Sequence, residues 1–252
     1  IVCYKNIKGK KTLGLSLNFE KRYITLAPIA TLIGLAIDIK DPDNLLGENK
    51  NIGISLCLVS ADQPGVKIGK VHKPLHVNFM NGPIYGKDVF VPMDAVIGGK
   101  DSLGQGWKML TECLAEGRGI SLPSLSSASS AISFLTSSSY SLVRKQFKLS
   151  IMDFSGVGAQ VAKTAGLAYL VEALREFTLI PITAGKKPSI ATAMAKYFST
   201  ELARDALQSA MDIHGGKALI DGPNNYLARL YDAAPIGITV EGANLLTKHM
   251  II

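Results

Sequence analysis

The hydrophobic pattern of this 252-residue chain changes period once, at Gly98-Gly99, and no other feature constrains the fold as tightly. Before that point short segments alternate, as in Thr12–Phe19 and Lys21–Leu26, or form brief apolar runs, as in Ile33–Ile39 and Ile52–Val59. Val66–Val71 and Val89–Pro92 complete the set, and Asp41-Pro-Asp-Asn and Gln63-Pro-Gly supply turns between strands. Short strands at this spacing predict a small antiparallel β-sandwich or barrel. From Gly104-Gln-Gly-Trp107 onward the spacing is helical, with Trp107, Leu110, Cys113 and Leu114 in register. Ser121–Ser141 is rich in Ser and Ala, but Leu122, Leu125, Ile132, Phe134 and Leu135 interrupt it, so it reads as a closely packed small-residue helix rather than a linker. Further helices are expected over 157–178, over 188–214 with Gly215-Gly216 as the stop, near 225–232, and after Glu241. The fold class is therefore α+β: a β domain over 1–102 followed by a helical bundle over 103–252.

Hydrophobic residues make up 47% and charged residues 19%, the composition of a chain with a substantial core. The formal charge of +7 suits an anionic ligand such as a nucleotide or a CoA ester, or a membrane surface. Nucleic acid is not expected, because the Lys and Arg residues are scattered and no recognition motif is present. Cys3, Cys57 and Cys113 are widely spaced and read as ordinary thiols. His72, His76, His214 and His249 form no metal-ligand pattern, Pro74 arguing against a helix between the first two, so no metal is expected. No apolar run reaches the length of a membrane span. The chain opens inside a strand-like segment without Met and stops inside a helical pattern, which reads as a fragment.

Chemistry concentrates in Pro235–Lys248, where the lone carboxylate Glu241 follows Ile238, Thr239 and Val240 and precedes Gly242. A carboxylate among apolar neighbours has its pKa raised, which suits a general base, and glycine beside it leaves the backbone open to a substrate. The alternative is an acidic residue in the first turn of a helix, favoured there by the helix dipole. Three other pieces stand out: Tyr23-Ile24-Thr25, Arg144-Lys-Gln-Phe147 and Asp212-Ile-His214-Gly215-Gly216. Taken singly they are a strand tripeptide, a snorkelling Arg with an apolar ring, and a helix C-cap.

Together, in this order and with Glu241 about 25 residues after the Gly-Gly turn, these pieces resemble the acyl-CoA dehydrogenases, and most closely the bacterial long-chain fatty-acid-degradation branch. The resemblance implies a middle β domain and part of a C-terminal helical bundle, with the family's N-terminal helical domain outside this chain. It implies FAD as cofactor, with Tyr23, Ile24 and Thr25 meeting the flavin. Arg144, Phe147, Asp212, His214, Gly215 and Gly216 would meet the FAD of a neighbouring subunit. Asp212 stands where most of the family has Gln, and Ala243 and Leu245 stand where many members have Thr and Gln. Glu241 would be the base that takes the α-proton of a fatty acyl-CoA, with the β-hydride passing to FAD to give a trans-2-enoyl-CoA. Arg118 and Gly242 would line the substrate end of the pocket. A few members carry the base immediately before the residue matching Arg118; here that position is Gly117, although Glu116 lies nearby. The implied partners are an electron-transfer flavoprotein or equivalent acceptor and further copies of the chain in a homodimer or homotetramer. The expected location is the bacterial cytoplasm, with peripheral contact at the inner membrane left open. An acyl-CoA oxidase using oxygen and a non-catalytic assembly protein of the same fold are the alternatives.

Overall fold

In a computed structural model, which describes residues 1–251 apart from the side chains of Glu116, Met250 and Ile251, the longest strand is β2, Lys10–Thr25. The sequence pattern divides this stretch in two, but the chain runs through it as one strand. Register shifts between Leu17 and Phe19 and between Lys21 and Ile24 bend it, and each shift resets which residues face inward, so alternation is lost without the strand ending. β2 pairs antiparallel with β1, Val2–Ile7, and with β6, Asn81–Pro92; β5, Val66–Ile68, completes a sheet of order β1-β2-β6-β5. A separate antiparallel pair joins β3, Leu32–Lys40, to β4, Asn51–Ser60. Val2, Leu15, Leu35, Ile39, Val59, Ile84 and Val89, drawn from both sheets, share one core. This is the packing of a small sandwich. Cys57 lies in that core, and burial pushes its thiol up to about 11. The loop after β3 is held by the buried Asp41, whose carboxylate accepts the backbone N–H groups of Leu45 and Leu46 at 2.9 and 2.7 Å.

The chain divides into two compact units, one of Ile1–Pro74 with Asn78–Thr111 and the other of Leu75–Val77 with the residues from Glu112 on. α1 (Gly106–Val143), which belongs to the second from Glu112 on, continues through the whole Ser-rich stretch despite Pro123. Ser126, Ser130, Ser133, Ser137 and Ser141 recur at helical spacing and are all buried. The first three hydroxyls donate to the carbonyls of Leu122, Ser126 and Ser129, each at 2.8 Å, so this part of the polar face is buried with its hydroxyls paired inside the helix, whereas the buried hydroxyls of Ser137 and Ser141 have no partner among the described residues. Small side chains let neighbouring helices come close. A Cβ on Gly119 would lie 2.6 Å from Ile182 and from Thr192, in the two helices that follow.

Those helices are α2, Ser155–Thr183, and α3, Ser189–His214. A two-stranded hairpin, β7 (Lys145–Gln146) and β8 (Leu149–Ser150), leads from α1 towards α2. α3 is the centre of the bundle: Ala193, Ala195, Lys196, Ser199, Thr200, Ala203, Ala206, Leu207 and Ala210 are buried. It packs on α2, on the short α4 (Gly216–Leu219), on α5 (Ala228–Thr239) and on α6 (Asn244–Ile251). Among the described residues no helix is long and apolar enough to cross a membrane. Because the serine face of α1 has no room for larger side chains, Ser130→Leu should lower unfolding stability by roughly 1–3 kcal/mol, read as a shifted denaturant midpoint at constant m-value.

Candidate active site

Glu241 sits in a turn that its sequence would not choose unaided. α5 carries Pro235 and Gly237 inside it and ends at Val240, whose backbone is extended at φ −74° and ψ 160°. Glu241 then takes φ +54° and Gly242 φ +90°, two consecutive left-handed residues before α6 begins at Asn244. Glycine accepts such a φ freely, whereas for Glu it costs on the order of 1–2 kcal/mol. A Cβ on Gly242 would make only ordinary contacts, with Thr247 at 3.5 Å and Arg118 at 3.9 Å. The backbone angle, more than lack of space, is what requires glycine there.

The turn aims the Glu241 carboxylate back at α1. A Cβ on Gly117 would lie 3.5 Å from both of its oxygens. The carboxylate thus lies against the position immediately before Arg118, which the resemblance gave as the other place for a base and which is glycine in this chain. Oε2 of Glu241 is buried and has no hydrogen-bond partner among the described residues. Burial raises the Glu241 pKa above its usual 4.5, while Arg118 and Lys196 oppose the rise. Arg118 is 4% exposed, and its Nε is likewise without a partner among the described residues. Burial lowers the Arg118 pKa and Glu241 supports the charge. The side chain of Glu116, the nearby alternative, lies outside the described residues.

Lys196, which the sequence reading passed over, completes the cluster from α3. It is fully buried, and its Nζ donates to Asn244 Oδ1 at 2.7 Å, Gly242 O at 2.9 Å and Ile238 O at 3.3 Å. Asn244 in turn donates to Thr200 Oγ1 at 3.0 Å and Glu201 Oε1 at 2.9 Å. Burial is the main cause that lowers the Lys196 pKa to about 8, with Glu241 and Glu201 opposing and Arg118 reinforcing. The signal in the sequence is a lysine at 196 on the same helical stripe as Ala193, Thr200, Ala203 and Leu207. A desolvated carboxylate with a free lone pair and two cations nearby can accept a proton from an acidic carbon and remain ionised until it does so.

A second cluster lies at the far end of α3. Tyr140, Arg144, Gln146, Ile151, His214, Gly215, Gly216 and Lys217 line a cleft of about 580 Å³. Arg144 is exposed at the end of α1, and Gly215, at φ +54°, turns the chain out of α3 into α4. His214 is buried: Nδ1–H donates to the Ala210 carbonyl at 2.8 Å, and Nε2 accepts the Tyr226 hydroxyl at 2.7 Å. Its ring stacks on Tyr140 at 4.4 Å. Burial lowers its pKa, in keeping with this neutral tautomer. The expected residues Arg144, His214, Gly215 and Gly216 are thus together. Asp212 is not with them: it lines a separate cleft with Gly215 and Tyr231, and its carboxylate accepts Gln208 Nε2 at 3.1 Å. Phe147 does not line the first cleft either; it is 87% exposed on the β7–β8 turn and meets Phe154 edge-on at 6.4 Å. Tyr23, Ile24 and Thr25 belong to the first unit, at the end of β2, with the Tyr23 ring 76% exposed and 5.6 Å from that of His72. No group of three or more His, Cys, Asp and Glu side chains suited to a metal ion occurs among the described residues.

Comparison with known proteins agrees with this architecture. Over 89 residues the chain is 58% identical to protein HemX of Proteus mirabilis, covering 35% of this chain and 52% of that protein. It is 29% identical over 241 residues to the mitochondrial short/branched chain specific acyl-CoA dehydrogenase of Bos taurus, covering 93% of this chain and 52% of that one. The chain spans about half the length of these curated relatives. Its fold superposes on the crystal structure of acyl-CoA dehydrogenase from Geobacillus kaustophilus with a TM-score of 0.81 at 24% identity, over 99% of this chain and 62% of that one. A family model described as acyl-CoA dehydrogenase, C-terminal domain, matches residues 104–252. With that match covering more than half its length, the chain belongs to the acyl-CoA dehydrogenase family.

Proposed function

We propose that the protein desaturates medium- or long-chain fatty acyl-CoA thioesters to trans-2-enoyl-CoA, with Glu241 as the base. The observation that carries this reading is the Glu241 carboxylate, desolvated, lodged against Gly117 and without a partner on Oε2 among the described residues. Oε2 has the free lone pair that receives the α-proton. Arg118 keeps the carboxylate ionised beforehand and, together with Gly242, lines the place where the thioester end would sit. Exclusion of water strengthens both effects. The long-chain preference rests on Glu241-Gly-Ala-Asn-Leu-Leu-Thr247, the segment typical of that branch.

The second cleft fits FAD. Arg144 and Lys217 offer two cations to a pyrophosphate, and Gly215-Gly216 presents no side chain to a ligand lying along it. By the family resemblance, Tyr23, Ile24 and Thr25 would meet a flavin. Once bound, FAD supplies the acceptor for the hydride leaving the β-carbon. Arg144, His214, Gly215 and Gly216 would serve the FAD of a neighbouring copy, so the working species would be a homodimer or homotetramer. Electrons would pass on to an electron-transfer flavoprotein or equivalent. Oxygen in its place would make the protein an oxidase, and peroxide release separates the two.

The complete FAD-loaded protein should show a flavin band that bleaches on anaerobic addition of palmitoyl-CoA; a band unmoved by short, medium and long acyl-CoAs rules out the desaturation. Glu241→Gln should keep flavin and ligand binding and lose turnover by roughly a thousandfold or more. Because burial raises the carboxyl pKa, kcat should fall as pH drops through a value above 4.5, the ionised form being the active one. Arg144→Ala should weaken FAD retention on the order of tenfold or more, the loss of a charge-assisted contact, measured as flavin remaining after dialysis.

A further inference from the structure

We propose that Lys196 is a positioning residue: it clamps the main chain on both sides of Glu241 and so holds the base in its strained turn. The inference rests on the reading of Glu241 as the base. Nζ of Lys196 has three hydrogens and meets three oxygens, which come from Ile238, three residues before Glu241, from Gly242, immediately after it, and from the side chain of Asn244, three residues after it. The Ile238 carbonyl belongs to the last turn of α5, where carbonyls have no partner within the helix. The Gly242 carbonyl leaves the second of two left-handed residues. One cation therefore ties the exit of α5, the turn itself and the start of α6 to the central helix.

Two features make the clamp more than generic stabilisation. Left-handed backbone at Glu241 is a conformation that a glutamate leaves readily unless its surroundings hold it. The lysine is also fully buried, and a buried ammonium is tolerated only when its donors are paired. Asn244 extends the grip, since its amide donates to Thr200 and Glu201 on the same helix that carries Lys196. Arginine cannot replace lysine here, because a planar fork does not direct three donors at three converging oxygens. The charged groups facing Lys196 are Glu241 from the turn, Arg118 from α1 and Glu201 from α3, among the described residues. Lys196 also acts on Glu241 by charge, lowering the pKa that burial raises.

The test compares Lys196→Met and Lys196→Arg with the complete FAD-loaded wild type. Amide hydrogen exchange over 238–247, without substrate, should quicken about tenfold or more in Lys196→Met while exchange in α2 stays unchanged. On acyl-CoA, kcat should fall about tenfold or more with KM within about threefold. The acid limb of kcat should move to higher pH in Lys196→Met, which removes a cation beside the base, and stay in place in Lys196→Arg, which keeps it. A role confined to stability would leave that limb alone in both. Unchanged exchange over 238–247 overturns the proposal, and so does quickened exchange with wild-type kcat. Should Lys196→Met fail to fold, Asn244→Ala removes one of the three acceptors and the link to Glu201; unchanged exchange over 238–247 in that variant overturns the clamp equally. A wild type that turns over no acyl-CoA overturns the desaturation reading and the positioning role with it, while the exchange arm still decides whether Lys196 holds the turn.

Discussion

Taking an ammonium group out of water is among the more costly things a folded chain does, and the helical unit is arranged around one that has been taken out completely. Lys196 lies about two turns into α3, the helix on which four others pack. Small residues surround it along that helix, so neighbouring backbones come close enough for main-chain carbonyls, rather than carboxylates alone, to satisfy it. The carbonyls it takes are those of Ile238, at the end of a helix where carbonyls lack partners within the helix, and of Gly242, in a left-handed turn, which otherwise accepts only the Thr247 hydroxyl at 3.3 Å among the described residues. Desolvation of the lysine, completion of the turn and placement of Glu241 are therefore one packing event.

The same close packing accounts for the electrostatics of the cluster. Arg118 enters from α1 and Lys196 from α3, while Glu241 arrives on the turn between α5 and α6. Each charge is desolvated, so each moves away from its ordinary ionisation, Glu241 upward and the two cations downward; Glu241 and the cations partly restore one another, while Arg118 pushes Lys196 further down. Such groups are sensitive to one another at distances that water would screen.

Much of this was legible in the sequence, for physical reasons that differ from place to place. The switch of period at Gly98-Gly99 separates strands from helices because burial of one face imposes one repeat or the other. The Ser-rich stretch reads as helix because its apolar residues interrupt the polar ones too often for a linker, and the buried hydroxyls of Ser126, Ser130 and Ser133 are absorbed by the helix's own carbonyls. β2 was not legible as one strand, since its bulges reset the alternation on which the reading depends. Glu241 stood out as a lone acid in an apolar run, but its left-handed backbone did not, because a non-glycine residue gives no sign of positive φ. Lys196 was passed over because one lysine among alanines looks like a solvated face; only the packing of α5 and α6 against it shows otherwise. Asp212, two residues before His214 on one helix, points to a different cleft, a matter of helical phase that a motif string does not encode.

That Lys196 grips carbonyl oxygens has a consequence for how this site can vary. A hold on the main chain is indifferent to what the held residues carry as side chains. Ile238 could become another residue able to continue α5 without loosening it, and the same freedom extends to Ala243 and Leu245, the latter 81% exposed. These last two are the places where many acyl-CoA dehydrogenases carry Thr and Gln. The fixed and the adjustable parts of this cluster are thus written in different chemical alphabets, backbone for the position of Glu241 and side chains for whatever is fitted around it, so that one can drift while the other stays still.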